Sequence, residues 1–295
     1  MTAALFPGVV VPLATPFHDD SSLAPELVEP LVEFLLAAGA SGLVAAGTTG
    51  EGYALDSDER RRIVEAVVAA CAGRVPVLVG VGGTATREAV AQARMARDAG
   101  AAGLMVAAPA YCLPTPDELA AHVVAVVDAV ALPTVLYDYP ARTGVPFDAA
   151  VLEQIADHPL VVGIKEASGD LGRIAMLRDR FGDHLATISG SDTLAMHYFE
   201  AGARSWIAGF GNVLPAEHAA MVAAAAAGDM AAGWAIQERL TPILTNVESG
   251  RYNAKVKAGL QLRGVPVGPT RAPMTSLAEP ELSVLRAQLA TLGYS

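Results

Sequence analysis

The chain has 295 residues, 53% of them hydrophobic and 17% charged, with a formal net charge of −11. The acid excess excludes a nucleic-acid binder, because neutralising phosphates takes clustered Lys and Arg; it favours solubility and says nothing about fold. Mean hydropathy is positive, at +0.39, yet the long apolar stretch Leu119–Leu136 is broken by His122, Asp128 and Pro133. A membrane-spanning helix needs ~20 mostly apolar residues without such breaks, so no membrane segment is expected. No basic region precedes the first apolar run, and no signal peptide is expected. Cys71 and Cys112 lack metal-like spacing and the six histidines are scattered, which leaves no expected metal site and points to a reducing cytoplasm.

Short apolar runs of strand length recur along the chain at Val9–Leu13, Gly42–Ala46, Val77–Val81, Gly103–Ala107, Thr134–Tyr137, Leu160–Lys165, Ala186–Ser189 and Ser205–Ala208. Their near-continuous apolarity is that of parallel strands buried on both faces. Between them lie stretches with helical apolar spacing, among them Leu27–Ala38, Asp58–Ala70, Arg87–Ala99, Asp117–Val130 and Leu171–Phe181. Strand–helix alternation predicts βαβ units and a parallel sheet. Gly39, Gly100 and Gly202 each sit between two alanines just ahead of a strand, where glycine takes a left-handed helix C-cap at little steric cost. A doubly wound sheet would show a Gly-rich phosphate fingerprint after its first strand; here that strand runs into Pro12-Leu13-Ala14-Thr15-Pro16-Phe17. The expected fold is therefore an α/β (β/α)8 TIM barrel over residues 1–225. Further helices near Ala231–Thr245, Asn253–Leu260 and Glu279–Leu292 form a C-terminal extension of the same domain over residues 226–295.

In such a barrel the catalytic residues stand at the C-terminal ends of the strands. Lys165 ends the sixth strand, Val161-Val162-Gly163-Ile164-Lys165-Glu166, and is one of only three lysines. Period-two alternation puts Val161, Gly163 and Lys165 on one face, with Gly163 leaving space beneath the lysine. Burial disfavours the ammonium form and lowers the lysine pKa, as a carbonyl-attacking amine requires. The plainer reading is an ion pair with Glu166 or another carboxylate at the strand end. Tyr137, at the tip of strand five, could exchange protons with a reacting group, and Arg142 on the following loop could grip a carboxylate; a capping aromatic and a solvated arginine are the alternatives. Strand two leads into Gly47-Thr48-Thr49-Gly50-Glu51-Gly52, whose N–H groups and threonine hydroxyls could form a nest for a small carboxylate. By itself such a Gly-Thr turn is common. Tyr111 is an aromatic on the loop after strand four, Ser191 is placed to cap the next helix, and Gly190 and Ala208 are small residues bordering the expected ligand space.

Three of these loops occur together: Gly47-Thr48-Thr49-Gly50-Glu51, Tyr137 through Gly144, and Gly163-Ile164-Lys165-Glu166-Ala167-Ser168-Gly169-Asp170. In that order, and over nearly the whole chain, the sequence resembles the dihydrodipicolinate synthase / N-acetylneuraminate lyase family. The resemblance implies an imine between Lys165 and a 2-oxo acid such as pyruvate, without metal or organic cofactor. It implies Tyr137 as central acid/base, and Thr48 as relay to Tyr111, the latter reaching in from a neighbouring subunit. It also implies Thr49 and Gly50 at the pyruvate carboxylate, and Arg142 at the second substrate. A homotetramer or homodimer, with a small-molecule substrate as its partner, is the implied assembly. Departures cluster in the other half of the site. Ala110 stands where a second tyrosine is usual; Ser57, Arg60 and Thr84 differ from the residues common in the feedback-lysine pocket; and Gly52-Tyr53 and Phe210-Gly211 are atypical pairs. The implied reaction condenses pyruvate with aspartate semialdehyde. Cleavage or dehydration of a 2-oxo-3-deoxy sugar acid or a 4-hydroxy-2-oxo acid is the alternative within the family, and a catalytically silent 2-oxo-acid-binding barrel is the alternative outside it.

Overall fold

A computed structural model of the chain describes residues 6–182 and 184–294. Eight parallel strands close on themselves in sequence order: β1 (Gly8–Pro12), β2 (Gly42–Ala45), β3 (Val77–Val81), β4 (Gly103–Ala107), β5 (Thr134–Asp138), β6 (Val161–Glu166), β7 (Ala186–Ser189) and β8 (Ser205–Ile207). Closure runs through β1 and β8, with Val9 opposite Trp206 and Val10 opposite Ile207. Around the strands stand α1 (Val28–Ala37), α2 (Ser57–Cys71), α3 (Thr86–Asp98), α4 (Pro116–Asp128), the one-turn α5 (Pro140–Thr143), α6 (Ala149–Ile155), α7 (Leu171–Phe181), α8 (Ala195–Glu200) and α9 (Pro215–Ala226). The C-terminal helices are α10 (Met230–Glu248), α11 (Tyr252–Leu262) and α12 (Glu279–Thr291). The (β/α)8 barrel expected from the sequence is thus the fold. Its strands lie within one or two residues of their expected bounds, β5 and β6 each running one residue further, to Asp138 and Glu166.

Local chemistry explains the helix ends. Asp56 and Thr115 each take the backbone N–H of a glutamate three residues on, while the side chains of Glu59 and Glu118 return the bond to the cap's own N–H; each capping box satisfies two otherwise orphaned donors. Asp148 and Asp170 cap α6 and α7. Gly39, Gly100 and Gly202 take φ of +98°, +86° and +103° just past α1, α3 and α8, the left-handed stop that the Ala-Gly-Ala runs signal. The helices α6 and α8, of seven and six residues, are too short for a 3.6-residue period to mark them.

Two apolar layers hold the barrel. Its interior is filled by Val10, Val44, Leu78, Met105, Val135, Tyr137, Val162, Ile188 and Ile207, with Phe6 joining them; the space between strands and helices holds the larger remainder. Strict alternation along β6 does not survive closure. Thr134 stands opposite Val161 but Val135 opposite Gly163, so the β5–β6 register slips by one residue. Val161 consequently packs with Ile164 beneath the helices, and Val162 turns into the barrel. The expected shared face of Val161 with Lys165 is corrected by this slip, as an extra residue in one strand reverses the facing of those before it. Nor does Gly163 open space beneath Lys165: a Cβ there would meet the Ala186 carbonyl at 2.9 Å and Ile188 Cδ1 at 3.3 Å. The glycine lets β7 lie close.

The C-terminal segment is tied into the barrel by buried charge. Lys257 Nζ lies 2.8 Å from Glu51 Oε1, both side chains nearly inaccessible, and also donates to the Pro269 carbonyl. The Arg271 N–H donates to Glu51 Oε2 at 2.9 Å, and its guanidinium binds Glu59 and the Ala54 carbonyl. Both cations sit 4.2 Å from the Phe17 ring centroid. Breaking a buried pair by removing one partner typically costs about 3–5 kcal/mol, because the other charge is stranded. Lys257→Met is expected to lose stability of that order in urea unfolding. The double variant Lys257→Met/Glu51→Gln should recover part of it, and a double variant no more stable than the single one would mean that the pair is not the source of the loss.

Candidate active site

The strand register builds the core of the site. Tyr137 of β5 stands directly opposite Lys165 of β6, and the Lys165 Nζ lies 4.2 Å from the centroid of the Tyr137 ring. Both open on a cavity of about 440 Å³ at the C-terminal end of the barrel, where Thr48, Thr49, Arg142, Gly190 and Asp192 also line the wall. A second cavity of about 450 Å³ shares Thr48, Tyr137 and Arg142 and extends past Tyr53, Arg60, Thr84 and Ala110.

Lys165 is 6% exposed. Of the competing reading, the ion pair with Glu166 is overturned: Glu166 turns outward, where it accepts from the Ser168 N–H at 2.8 Å and from the Tyr198 hydroxyl, with Arg173 at 3.5 Å; the carboxylate that shares the wall with Lys165 is Asp192. Burial brings the Lys165 ammonium down to about 8, partly opposed by the charges of Asp192 and Tyr139 and assisted by Arg142. About a tenth of this amine is therefore uncharged at neutrality, whereas an ordinary lysine is almost wholly protonated. Tyr137 moves the other way: burial pushes its phenol up to about 12, with the Thr48 hydroxyl and Arg142 pulling it back. It holds its proton until a partner takes it.

The anion loop owes its shape to close backbone approaches. A Cβ on Gly50 would lie 2.7 Å from the Leu13 carbonyl, and the Thr15 hydroxyl donates to the Gly50 carbonyl at 2.5 Å. Gly50 thus packs against the loop after β1 and is not part of the cavity wall; Thr49 is. Arg60 braces the same loop from below, donating to the carbonyls of Gly80 at 2.9 Å and Gly52 at 2.6 Å. Arg142 lies on α5 with its guanidinium 5.4 Å from the Tyr139 ring centroid.

Besides Gly50, two expected site residues are not brought to the cavity. Ala208 is fully buried in the layer outside the barrel, its N–H bonded to the Val10 carbonyl. Its neighbour Gly209 lines the cavity instead. Tyr111 is 94% exposed with φ of +75°, on a loop that also exposes Leu113, and within this chain it meets neither Thr48 nor Tyr137 at the cavity. Ser191 accepts from the Leu194 N–H at 3.3 Å, but α8 is capped by Leu194 without a side-chain bond, which corrects the expected role of Ser191 as its cap.

Several groups escape sequence reasoning. Asp192 follows β7 and is almost wholly buried, accepting from the Phe210 N–H at 3.1 Å and from the Tyr252 hydroxyl. Glu248 accepts from the N–H of Asp192 at 2.8 Å and from the Thr193 hydroxyl at 2.5 Å. Asn253 donates to the Thr48 carbonyl at 2.9 Å. The end-of-strand rule could have found Asp192. No local signal marks Glu248, Tyr252 or Asn253, which reach the cavity because α10 ends and α11 begins above it.

A closed (β/α)8 barrel with a buried lysine and a tyrosine side by side at adjacent strand ends is built for imine chemistry, and the protein is of the class I, pyruvate-dependent lyases and synthases. The chain belongs to the dihydrodipicolinate synthetase family, whose family model matches residues 5–292. It is similar to the 4-hydroxy-tetrahydrodipicolinate synthase of Acidiphilium cryptum, at 36% identity over 98% of this chain and 99% of that one. A second relative, 4-hydroxy-tetrahydrodipicolinate synthase 2 of Streptomyces coelicolor, is 38% identical over 98% of this chain and 96% of that one. Among solved structures, the dihydrodipicolinate synthase of Acinetobacter baumannii complexed with pyruvate superposes with a TM-score of 0.95, at 31% identity over 98% of this chain and all of the other.

The depressed Lys165 amine has a direct readout. Labelling by acetic anhydride across pH, mapped by mass spectrometry, should place the Lys165 midpoint near 8, since only the uncharged amine reacts. A midpoint above 10, the range of exposed lysines, would contradict the desolvated site.

Proposed function

We propose that this chain is a 4-hydroxy-tetrahydrodipicolinate synthase, joining pyruvate to aspartate semialdehyde through an imine on Lys165. The observation that carries the reading is the buried Lys165 amine, lowered to about 8 and set against Tyr137 at the strand ends. The amine adds to the C2 carbonyl of pyruvate. The carbonyl oxygen leaves as water, with one proton from the amine and one from Tyr137, giving a protonated imine. Loss of a C3 proton yields an enamine, the imine nitrogen taking up the electron pair. The phenolate left on Tyr137 takes that proton and returns it to the alkoxide formed when the enamine carbon attacks the aldehyde of the acceptor; the acceptor's amino group then adds to the regenerated iminium and displaces Lys165, closing the ring and freeing the amine.

In this reading Tyr137 is the central acid/base, since a high-pKa phenol keeps the proton that the departing oxygen needs. Thr48 relays protons from it to Tyr111 of a second copy of the chain; a tyrosine 94% exposed beside an exposed leucine suits a residue seated in a partner. Thr49 holds the pyruvate carboxylate, with Gly50 shaping the loop behind it, and Gly190 lines the wall beside them, its missing Cβ letting the end of β7 lie against the Glu166 carbonyl, which a Cβ would meet at 2.5 Å. Arg142 receives the carboxylate of the acceptor. We take residues 1–225 as the catalytic barrel and 226–295 as its extension, the assembly as a homotetramer or homodimer, and the compartment as the cytoplasm, in keeping with two free thiols. No helix among the described residues is long and apolar enough to cross a membrane.

A second reading has its own support. Beyond Lys165 the cavity wall carries Ser191, Asp192, Thr193 and Glu248, acceptors and hydroxyls suited to a polyhydroxylated chain, which favours a 2-oxo-3-deoxy sugar acid. Steady-state turnover of pyruvate with aspartate semialdehyde, beside a panel of such acids, separates the two: the proposed synthase should prefer the semialdehyde by at least about tenfold in kcat/KM, and the opposite preference would move the assignment to the sugar acid.

Incubation with pyruvate followed by borohydride reduction is expected to leave a reduced adduct on Lys165. Absence of an adduct with pyruvate and with longer 2-oxo acids would remove the catalytic claim. Tyr137→Phe should still form the adduct, at a rate lowered about 10²–10⁴-fold, the usual contribution of a positioned acid/base.

A further inference from the structure

Imine chemistry leaves one charge in the cavity unexplained. Asp192 is almost wholly buried in the wall shared with Lys165. Its Oδ2 is fully engaged, accepting from the Phe210 N–H and the Tyr252 hydroxyl. Its Oδ1 is equally inaccessible and has no hydrogen-bonding partner among the described residues. A buried carboxylate oxygen without a donor is costly, and a residue held by two fixed donors on one oxygen cannot turn away to relieve it. The chain therefore keeps a fixed carboxylate with one unpartnered oxygen in the wall of a cavity whose reacting group becomes a cation.

We propose that Asp192 is the counter-ion of the iminium formed on Lys165. The inference rests on the reading of Lys165 as the imine-forming amine. Before 2-oxo acid binds, Lys165 exchanges a proton with solvent, and its charged form is stabilised by Asp192. Once the iminium forms, its positive charge is permanent until the C3 proton leaves, and the fixed carboxylate lowers the energy of that cation and of the transition states leading to and from it. The charged and titratable groups around the pair are Tyr137 and Tyr139 at the end of β5, Arg142 on α5, and Glu248, Arg251 and Tyr252 from the C-terminal segment. Tyr252 is buried and held by Asp192, so it remains a phenol. Glu248 lies a residue away with its oxygens taken by Asp192 N–H, Thr193 and Ser191. Among these, Asp192 is the carboxylate that acts on the Lys165 charge; burial raises its own pKa, and the Tyr252 hydroxyl, the Phe210 N–H and the Lys165 charge oppose that rise. Tyr252 and the Phe210 N–H are then positioning groups that fix the anion, which gives the C-terminal helix α11 a part in the chemistry.

The test compares Asp192→Asn with the unaltered chain by two measurements. The first is the pH midpoint of Lys165 acetylation, taken without any 2-oxo acid. An opposite charge close by usually moves a pKa by 1–3 units, so the midpoint should fall by about one pH unit or more in the variant. The second is turnover with pyruvate as variable substrate, where kcat should drop at least about tenfold while KM for pyruvate stays level or falls, because an anion repelling the pyruvate carboxylate has been removed. Glu248→Gln should leave the Lys165 midpoint in place. An unmoved midpoint in Asp192→Asn, or a loss expressed in KM alone, overturns the counter-ion while leaving Lys165 as the imine site. Failure of the unaltered chain to give a reduced pyruvate adduct on Lys165 overturns the reading beneath it instead. Melting curves verify folding of Asp192→Asn, and Asp192→Ser supplies the same midpoint should the asparagine variant not fold.

Discussion

Desolvation of a single amine is the constraint on which this structure turns. Lys165 reaches a pKa near 8 because the closed barrel surrounds it with strand ends and the ring of Tyr137, and because Glu166, the nearest carboxylate in sequence, points the other way into a network with Tyr198, Ser168 and Arg173. That outward network does two things at once. It satisfies a buried carboxylate that would otherwise be costly, and it keeps that carboxylate from neutralising the amine. Alternation along β6 thus separates two charged neighbours onto opposite sides of the sheet, one for structure and one for chemistry.

The same separation of duties runs through the loop after β2. Thr48 and Thr49 face the cavity, while Glu51, at φ of +50°, turns back to hold Lys257 and the Arg271 N–H. Arg60, Gly50 and Gly52 fix the loop's carbonyls and its close approaches to β1 and β3. The helices beyond the barrel are therefore not an appendage in the mechanical sense. Through Lys257, and through Arg271 between α11 and α12, this segment anchors the loop after β2 from behind, and through Glu248, Tyr252 and Asn253 it roofs the cavity.

What the sequence makes legible follows from the range of each interaction. Strand positions, helix stops at Gly39, Gly100 and Gly202, and the place of Lys165 and Tyr137 at strand ends are local consequences of burial and backbone conformation, and they can be read residue by residue. The facing of Val161 and Val162 could not be, because the slip between β5 and β6 is a property of two strands and of barrel closure. Ala208 and Gly209 differ by one position, yet one is packed outside the barrel and the other lines the cavity; the three-residue β8 is too short for alternation to settle the facing. Asp192 and Tyr252 are 60 residues apart and meet only in the fold. No periodicity or turn signal reports a contact of that range.

Charge in the cavity then separates its two halves by rigidity. The imine half is made of strand ends, Lys165 and Tyr137, and of a loop pinned by buried bonds, so its geometry is fixed before substrate arrives, which is what a reaction with a demanding approach angle needs. The acceptor half is made of loop residues and helix termini: Arg142 on a single helical turn, Ser191 and Thr193 after β7, and Glu248 through Asn253 between α10 and α11. Substitutions there alter which aldehyde or hydroxyl chain is gripped without disturbing the amine. The departures at Tyr53, Ala110 and Phe210 fall in or beside that adaptable half. A scaffold that keeps its electron-sink chemistry on strands and its recognition on loops can change acceptor by local substitution, and Asp192 sits at the seam between the two, held on one oxygen by Phe210 and Tyr252 of the loop side and sharing the cavity wall with Lys165.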